Sequence, residues 1–420
     1  MAHQKKDGKL LFVVISVVIA LAAIIALRFY TSNVTPRLSV PARKMPSPNA
    51  YDYSVAASKA IVDANSISNA AYENPKGKQT LTEWKQILDD NAEAFKTLRK
   101  GFSFEYRQPM QTWTVGTWPP FPKFRNMGRL LKLDGRLKAA LGDWKGSMDS
   151  YLDVVEFSID IHKGGNDFSL LVGTSIRSLV AQDIWDSAKK LNRAEAKAAA
   201  RRLEKLMAGK PDFTEVLENC SLSTQVEMMP ILESSDWRKY VPMIALNDRT
   251  DWKDRARLLT CTKSQVLNNY KNFMDQYIDS VSKGSYTAHI KVTPNYPYGK
   301  EMVDLYDRIW FDYTYKTEAR NALLLVSLAL QAYHSDHGNY PSRLQDLVPA
   351  YLSTIPKDPF NTKRPLIYKK TAKGYLLYSV GPDGVDNGGN PVCDSRYKMP
   401  QDRYLIHQDS KGDMVAGINR

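Results

Sequence analysis

Eighteen consecutive positions, 10–27, hold Ser16 as their only polar residue. At 1.5 Å per residue a helix of that length reaches about 27 Å, close to the thickness of one hydrocarbon core. Basic residues on both flanks argue against a helix buried in a globular core. A cleaved signal peptide is the competing reading, but its apolar core is usually shorter, and no small-x-small site follows before Arg28 and Phe29. The run is therefore expected to be a transmembrane signal-anchor over 10–28, behind an N-terminal tail at 1–9. Charge leaves the orientation open. Lys5, Lys6 and Lys9 against Asp7 put +2 on one side, whereas Arg28, Arg37, Arg43 and Lys44 put +4 on the other.

Residues 29–50 read as a linker. Pro36, Pro41, Pro46 and Pro48 stiffen a stretch that holds no acidic residue from 31 to 50. From 51 to about 300 the apolar period is helical. Thr80 and Glu83 have capping-box spacing ahead of Trp84, Ile87, Leu88, Ala92, Phe95 and Leu98. Asn192 with Glu195 repeats that start signal before an Ala-rich stretch closed by Gly209 and Pro211. Further amphipathic segments lie at 127–141, 144–162, 168–191 and 264–281. Within 130–151, the small Ala139 and Ala140, the Gly142-Asp143 turn, and Trp144 and Tyr151 resemble a tetratricopeptide-type helix pair. An irregular helical domain fits that region equally well.

Between these helices, 102–124 carries Phe102, Phe104, Tyr106, Trp113, Trp118, Phe121 and Phe124 among four prolines. A loop pinned to the helical core by its aromatic rings is the simpler expectation. The functional alternative is a groove for a glycan or peptide, with Trp113 and Trp118 as the binding residues, because large rigid side chains bind with little entropy loss.

At Lys316 the pattern changes. A segment that is apolar almost all round from 322 to 333 should be covered by neighbours, and Gly338 should end it. Two short strands follow at 365–370 and 374–380, and then 381–390 (GPDGVDNGGN), which suits neither helix nor strand interior. In order, Gly338-Asn-Tyr340-Pro341, Leu344 to Leu347, Pro356-Lys-Asp358-Pro359-Phe360, Tyr368, and Ser379-Val-Gly381-Pro-Asp383-Gly384 with Gly388-Gly389 resemble the globular domain of the type II secretion major pseudopilin. The resemblance spans about 100 residues, 316–417. It implies a long helix on a small antiparallel sheet over 301–420, and a loop that binds Ca²⁺. Asp383 matches the family's loop aspartate, and the Val380 carbonyl matches its backbone ligand. Asp386 and Asn387 are nearby candidates by spacing, as are Asn390 and Asp394, and Asp413 could close the site. Carboxylates, amides and carbonyls in a Gly-rich turn are the hard oxygens that Ca²⁺ takes; a solvated turn is the alternative. The family's mature helix carries a Glu near its start. Here Gly8 is followed by Lys9 and the apolar run has no Glu, so a processed filament subunit is not expected.

Of 420 residues, 43% are hydrophobic and 25% charged, which excludes a wholly disordered chain. Three cysteines with no close pair exclude a disulfide scaffold or a thiolate zinc cage. His334 and His337 lack both the i, i+4 spacing and the Glu of zinc-protease helices. No nucleophile elbow or phosphate-binding Gly-Lys loop is present. The formal net charge of +13 is scattered in pairs such as Lys189-Lys190, Arg201-Arg202 and Lys369-Lys370, without the stripe that tracks nucleic acid. Anionic headgroups or envelope polymers suit it better.

The sequence-based expectation is thus a mainly α chain: a transmembrane anchor, a helical domain over 51–300, and an α+β pseudopilin-like domain. Its role is that of a structural or interaction protein at the inner membrane, body outside the cytoplasm, with protein partners of the envelope or secretion machinery. A glycan- or peptide-binding module is the alternative, and no catalytic residue is named.

Overall fold

A computed structural model describes residues 15–24, 27, 30, 34–73, 77–110, 120–244, 252–284, 292–372 and 374–419. Helices dominate. The central pair is Phe121–Ala140 and Trp144–Ile161, antiparallel around the Gly142-Asp143 turn. The Asp143 carboxylate accepts the Gly146 amide at 2.8 Å and so caps the second helix. Gly135 makes their close approach possible, since a Cβ there would overlap the Tyr151 ring. Helices Ala50–Lys59, Ala64–Ala70 and Lys78–Asp90 pack on one side of Phe121–Ala140, while Asp167–Ser178 packs against both members of the pair. Phe213–Glu233 and Lys263–Lys283 form a second antiparallel layer.

The chain then runs through Lys300–Trp310 and a π-helical turn, Phe311–Lys316, straight into Thr317–His337. This last helix, the spine, buries Leu323, Leu324, Leu325, Val326, Leu328 and Leu330. Each such side chain contributes about 1.5–3 kcal/mol of burial free energy. The spine packs most closely on Arg193–Ala208, and its other side meets the strands. Gly338, at φ +69°, ends it in a left-handed turn. Strands β1 (Lys357–Asp358) and β2 (Asn361–Pro365) make a small hairpin. Strands β3 (Ile367–Thr371), β4 (Gly374–Ser379) and β5 (Met414–Val415) form an antiparallel sheet in the order β3-β4-β5. The register pairs Ile367 with Tyr378 and Ser379 with Met414.

One expectation is corrected here. Among the described residues no helix is long and apolar enough to cross a membrane. Of the expected anchor at 10–28, residues 15–24 are helical with Ile15, Val17, Val18, Ile19, Leu21 and Ile24 exposed. Apart from Leu27, the rest of that segment lies outside the described residues, as does the tail at 1–9.

Smaller differences concern caps. Asn192 and Glu195 form the reciprocal box expected of them, at 3.1 and 3.0 Å. Thr80 does not cap. Its helix opens two residues earlier, after Gly77, and Thr80 is buried inside the first turn. The aromatic segment also shortens, because Phe121 and Phe124 belong to a helix and are buried in it. Tyr106 is buried from the loop side.

Candidate functional site

The tail's Gly-rich loop is assembled by two buried carboxylates. Asp358, in β1, reaches across to the end of β4. Its Oδ1 accepts the Ser379 hydroxyl at 2.7 Å and the Phe360 amide at 3.0 Å, and its Oδ2 accepts the Val380 amide at 2.9 Å. Burial raises its pKa above the ordinary value, and these donors offset part of that cost. The chain can then turn at Gly381, φ +71°, where a Cβ would overlap the Gly412 carbonyl oxygen.

Asp413, just before β5, ties the far end of the loop. Its Oδ1 accepts the Asn387 amide at 3.1 Å and its Oδ2 the Gly389 amide at 2.6 Å. Its own amide donates to the Asn390 carbonyl at 2.8 Å. Asp383 completes the closure. Its Oδ2 accepts the Gly412 amide at 3.1 Å and the Asn387 side-chain amide at 3.4 Å, and its Oδ1 accepts the Val385 amide at 3.0 Å. Asp386 turns the other way, accepting the Tyr378 hydroxyl and the Gly388 amide, each at 2.9 Å. The Gly388 amide first, and the Tyr378 hydroxyl next, hold its carboxyl below the usual range.

Asp383, Asn387 and Asp413 are therefore brought together. Asp386 sits beside them but faces Tyr378. Val380, whose carbonyl is the backbone candidate, donates its amide to Asp358, which among the described residues shares no hydrogen bond with Asp383, Asn387 or Asp413. Asn390 donates to the Asn387 carbonyl at 2.8 Å, while Asp394 is drawn off into an ion pair with Arg396 at 2.7 Å. Burial raises the Asp413 pKa, and the nearby Asp386 and Asp383 charges push it the same way.

The donor set fits Ca²⁺ in charge and in hard-oxygen chemistry. It does not fit in direction, because both Asp413 oxygens are engaged by amides. Among the described residues no three His, Cys, Asp or Glu side chains converge on one point.

Trp113 and Trp118, the candidates for a glycan or peptide site, lie outside the described residues. His334 stacks on Tyr340 and His337 on Tyr333, with ring centroids 4.5 and 4.0 Å apart, so ring packing occupies both imidazoles. Asp358 is a loop-assembling residue outside the candidate set. It was legible only as part of a turn, although an Asp between two prolines ahead of a strand is well placed to accept amides from a neighbouring strand end.

Comparison with known proteins identifies no relative: no family model, no curated protein and no solved structure matches this chain.

Proposed function

We propose that this chain is a structural or interaction protein whose C-terminal unit is pseudopilin-like and works as a docking module of an envelope secretion assembly. The observation that carries the reading is the burial of the spine. A pilin-type filament grows by packing the long helices of successive subunits together. Here the spine's apolar surface is already covered by Arg193–Ala208 on one side and by the sheet on the other. That favours a partner-binding unit over a filament subunit.

One surface open to a partner is the outer side of the hairpins. Lys363, Arg364, Lys369 and Lys370 are all exposed on β2 and on β3, the edge strand of its sheet. Lysines on an edge discourage strand-to-strand aggregation and suit an acidic partner surface. By its resemblance alone, the unit would work outside the cytoplasm.

Calcium enters the proposal from the resemblance alone: Asp383 and Asp413, with Asp386 and Asn387 beside them, would hold it only once Asp413 released the Asn387 and Gly389 amides. Its physical support is that the Asp386 and Asp383 charges both push the Asp413 pKa up, a repulsion that a divalent cation would relieve.

The experiment is site-specific photo-crosslinking in the native host, with a benzophenone side chain at Lys369 and a control at the buried Leu328. Crosslinks from position 369 to secretion-assembly components support the reading. Filaments of this chain, or crosslinks only between its own copies, contradict it.

A further inference from the structure

A second feature lies away from the loop, where the π-helical turn meets the helical body. A cavity of about 690 Å³ opens there, and Lys132, Arg136, Lys316 and Arg320 line it together with Asp183 and Asp402. Arg320 is the unusual member. It is only 8% exposed, and its Nε has no hydrogen-bond partner. Among the described residues its guanidinium makes no ion pair. Behind it stands a second buried arginine, Arg177, which donates to the Asn321 side chain at 2.7 Å and also leaves its Nε unpartnered.

The other cations are only loosely neutralised. Lys132 and Arg136 share Asp183 at 3.4 and 3.7 Å, both long for ion pairs. Lys132 lies 4.9 Å from the Tyr72 ring centroid, and Arg136 lies 4.9 Å from that of Trp84. Lys316 pairs with Asp312. The neighbouring Lys210–Glu318 pair is self-neutral. Four cations, Lys132, Arg136, Lys316 and Arg320, and two carboxylates, Asp183 and Asp402, line the cavity, an excess of two positive charges along its wall.

An unpaired buried charge is strongly destabilising unless something supplies its counter-charge. Burial, and after it the Arg177 charge, press the Arg320 pKa down to about 9 against a smaller offset from Asp312, which already pairs with Lys316; Arg320 stays protonated at neutral pH. A planar guanidinium presents paired N–H donors to an oxyanion. A phosphate monoester carries about −1.5 to −2 at pH 7, which matches the excess.

We propose that this cavity is a binding site for a phosphate group, with Arg320 as the anchoring donor and Lys132, Arg136 and Lys316 around it. The site is independent of the pseudopilin-like reading, since most of its lining belongs to the helical body. Free phosphate and a phosphate ester share this chemistry.

The test is isothermal titration calorimetry of the full chain with inorganic phosphate, and with glycerol 3-phosphate in a parallel arm, at constant ionic strength. One saturable site is expected. Tighter binding of glycerol 3-phosphate would mark an esterified ligand, and tighter binding of inorganic phosphate the free anion. Arg320→Met should weaken binding at least tenfold, and Lys132→Gln several-fold with circular dichroism unchanged. Lys132→Gln keeps the test decisive if Arg320→Met does not fold. No phosphate heat in the wild type, an affinity unchanged by both substitutions, or binding of citrate with none of phosphate would overturn the assignment.

Discussion

The Asp358 carboxylate accepts the Val380 amide at 2.9 Å, a bond between β1 and the residue that follows β4. It also holds the Ser379 hydroxyl and the Phe360 amide, so one side chain joins the first hairpin to the start of the Gly-rich loop. Removing it strands several buried donors at once. Asp358→Ala should cost about 3 kcal/mol, on the scale of charged hydrogen bonds lost together with the desolvation of their partners. Urea denaturation of the full chain measures this, and a loss below about 1 kcal/mol would show that the pin is dispensable.

The positive φ of Gly381 and its approach to the Gly412 carbonyl leave no room for a side chain. The obstacle is backbone, which cannot rotate away. Gly381→Ala should therefore destabilise the tail more than Gly338→Ala, where nothing lies within 4 Å of the added Cβ and only the φ of +69° is strained. Parallel melting curves of the two variants compare them, and equal melting temperatures would count against the loop closure described.

His162 is buried, with its ring edge against Tyr313 at a centroid distance of 5.0 Å. Burial first, and the Lys210 charge second, hold its pKa at about 3 against an ordinary 6.5. A depressed folded pKa means that the unfolded chain takes up the proton first. Its contribution is complete above pH 6.5 and is lost as pH falls toward about 3, by at most about 1.4 kcal/mol per pH unit. Asp160 and Asp167, each raised to about 6 by burial, act in the opposite sense, losing their contribution as pH rises through 6. The comparison must therefore be between wild type and His162→Gln. The variant should show a shallower loss of denaturation free energy between pH 6.5 and 4; parallel curves would remove His162 as the cause.

Calcium in the loop makes a separate expectation. Added Ca²⁺ should raise the melting temperature of the full chain, chelator should return it, and Asp383→Ala should abolish the response. Identical melting curves with calcium and with chelator would end the calcium proposal, leaving the amide-closed loop as the complete structure of the turn.

Much of the tail was legible because its signals are local. Gly338 ends the spine where an isolated Gly after an apolar run should, and the β3–β4 hairpin falls within two residues of its expected bounds. The Asn192–Glu195 box is likewise a local pattern. Thr80–Glu83 has the same spacing but fails as a cap, because the helix opens earlier and packing draws Thr80 inward. Thr262–Gln265, with the same spacing, does form a box. What sequence could not show were relationships across long separations. Arg320 reads as one more charge at the start of an apolar helix until Arg177 and Lys132 arrive from more than a hundred residues away. Asp358 reads as turn chemistry until β4 is laid beside it.

The central claim is that the spine belongs to the body's own core and is not free for subunit packing. Hydrogen–deuterium exchange of the full chain tests it most directly. The amides of residues 319–330 should exchange as slowly as those of the central helix Trp144–Ile161, with β4 close behind, because opening them requires unfolding the shared core. Exchange of 319–330 within seconds while Trp144–Ile161 stays protected would show the spine undocking by itself and would contradict the claim.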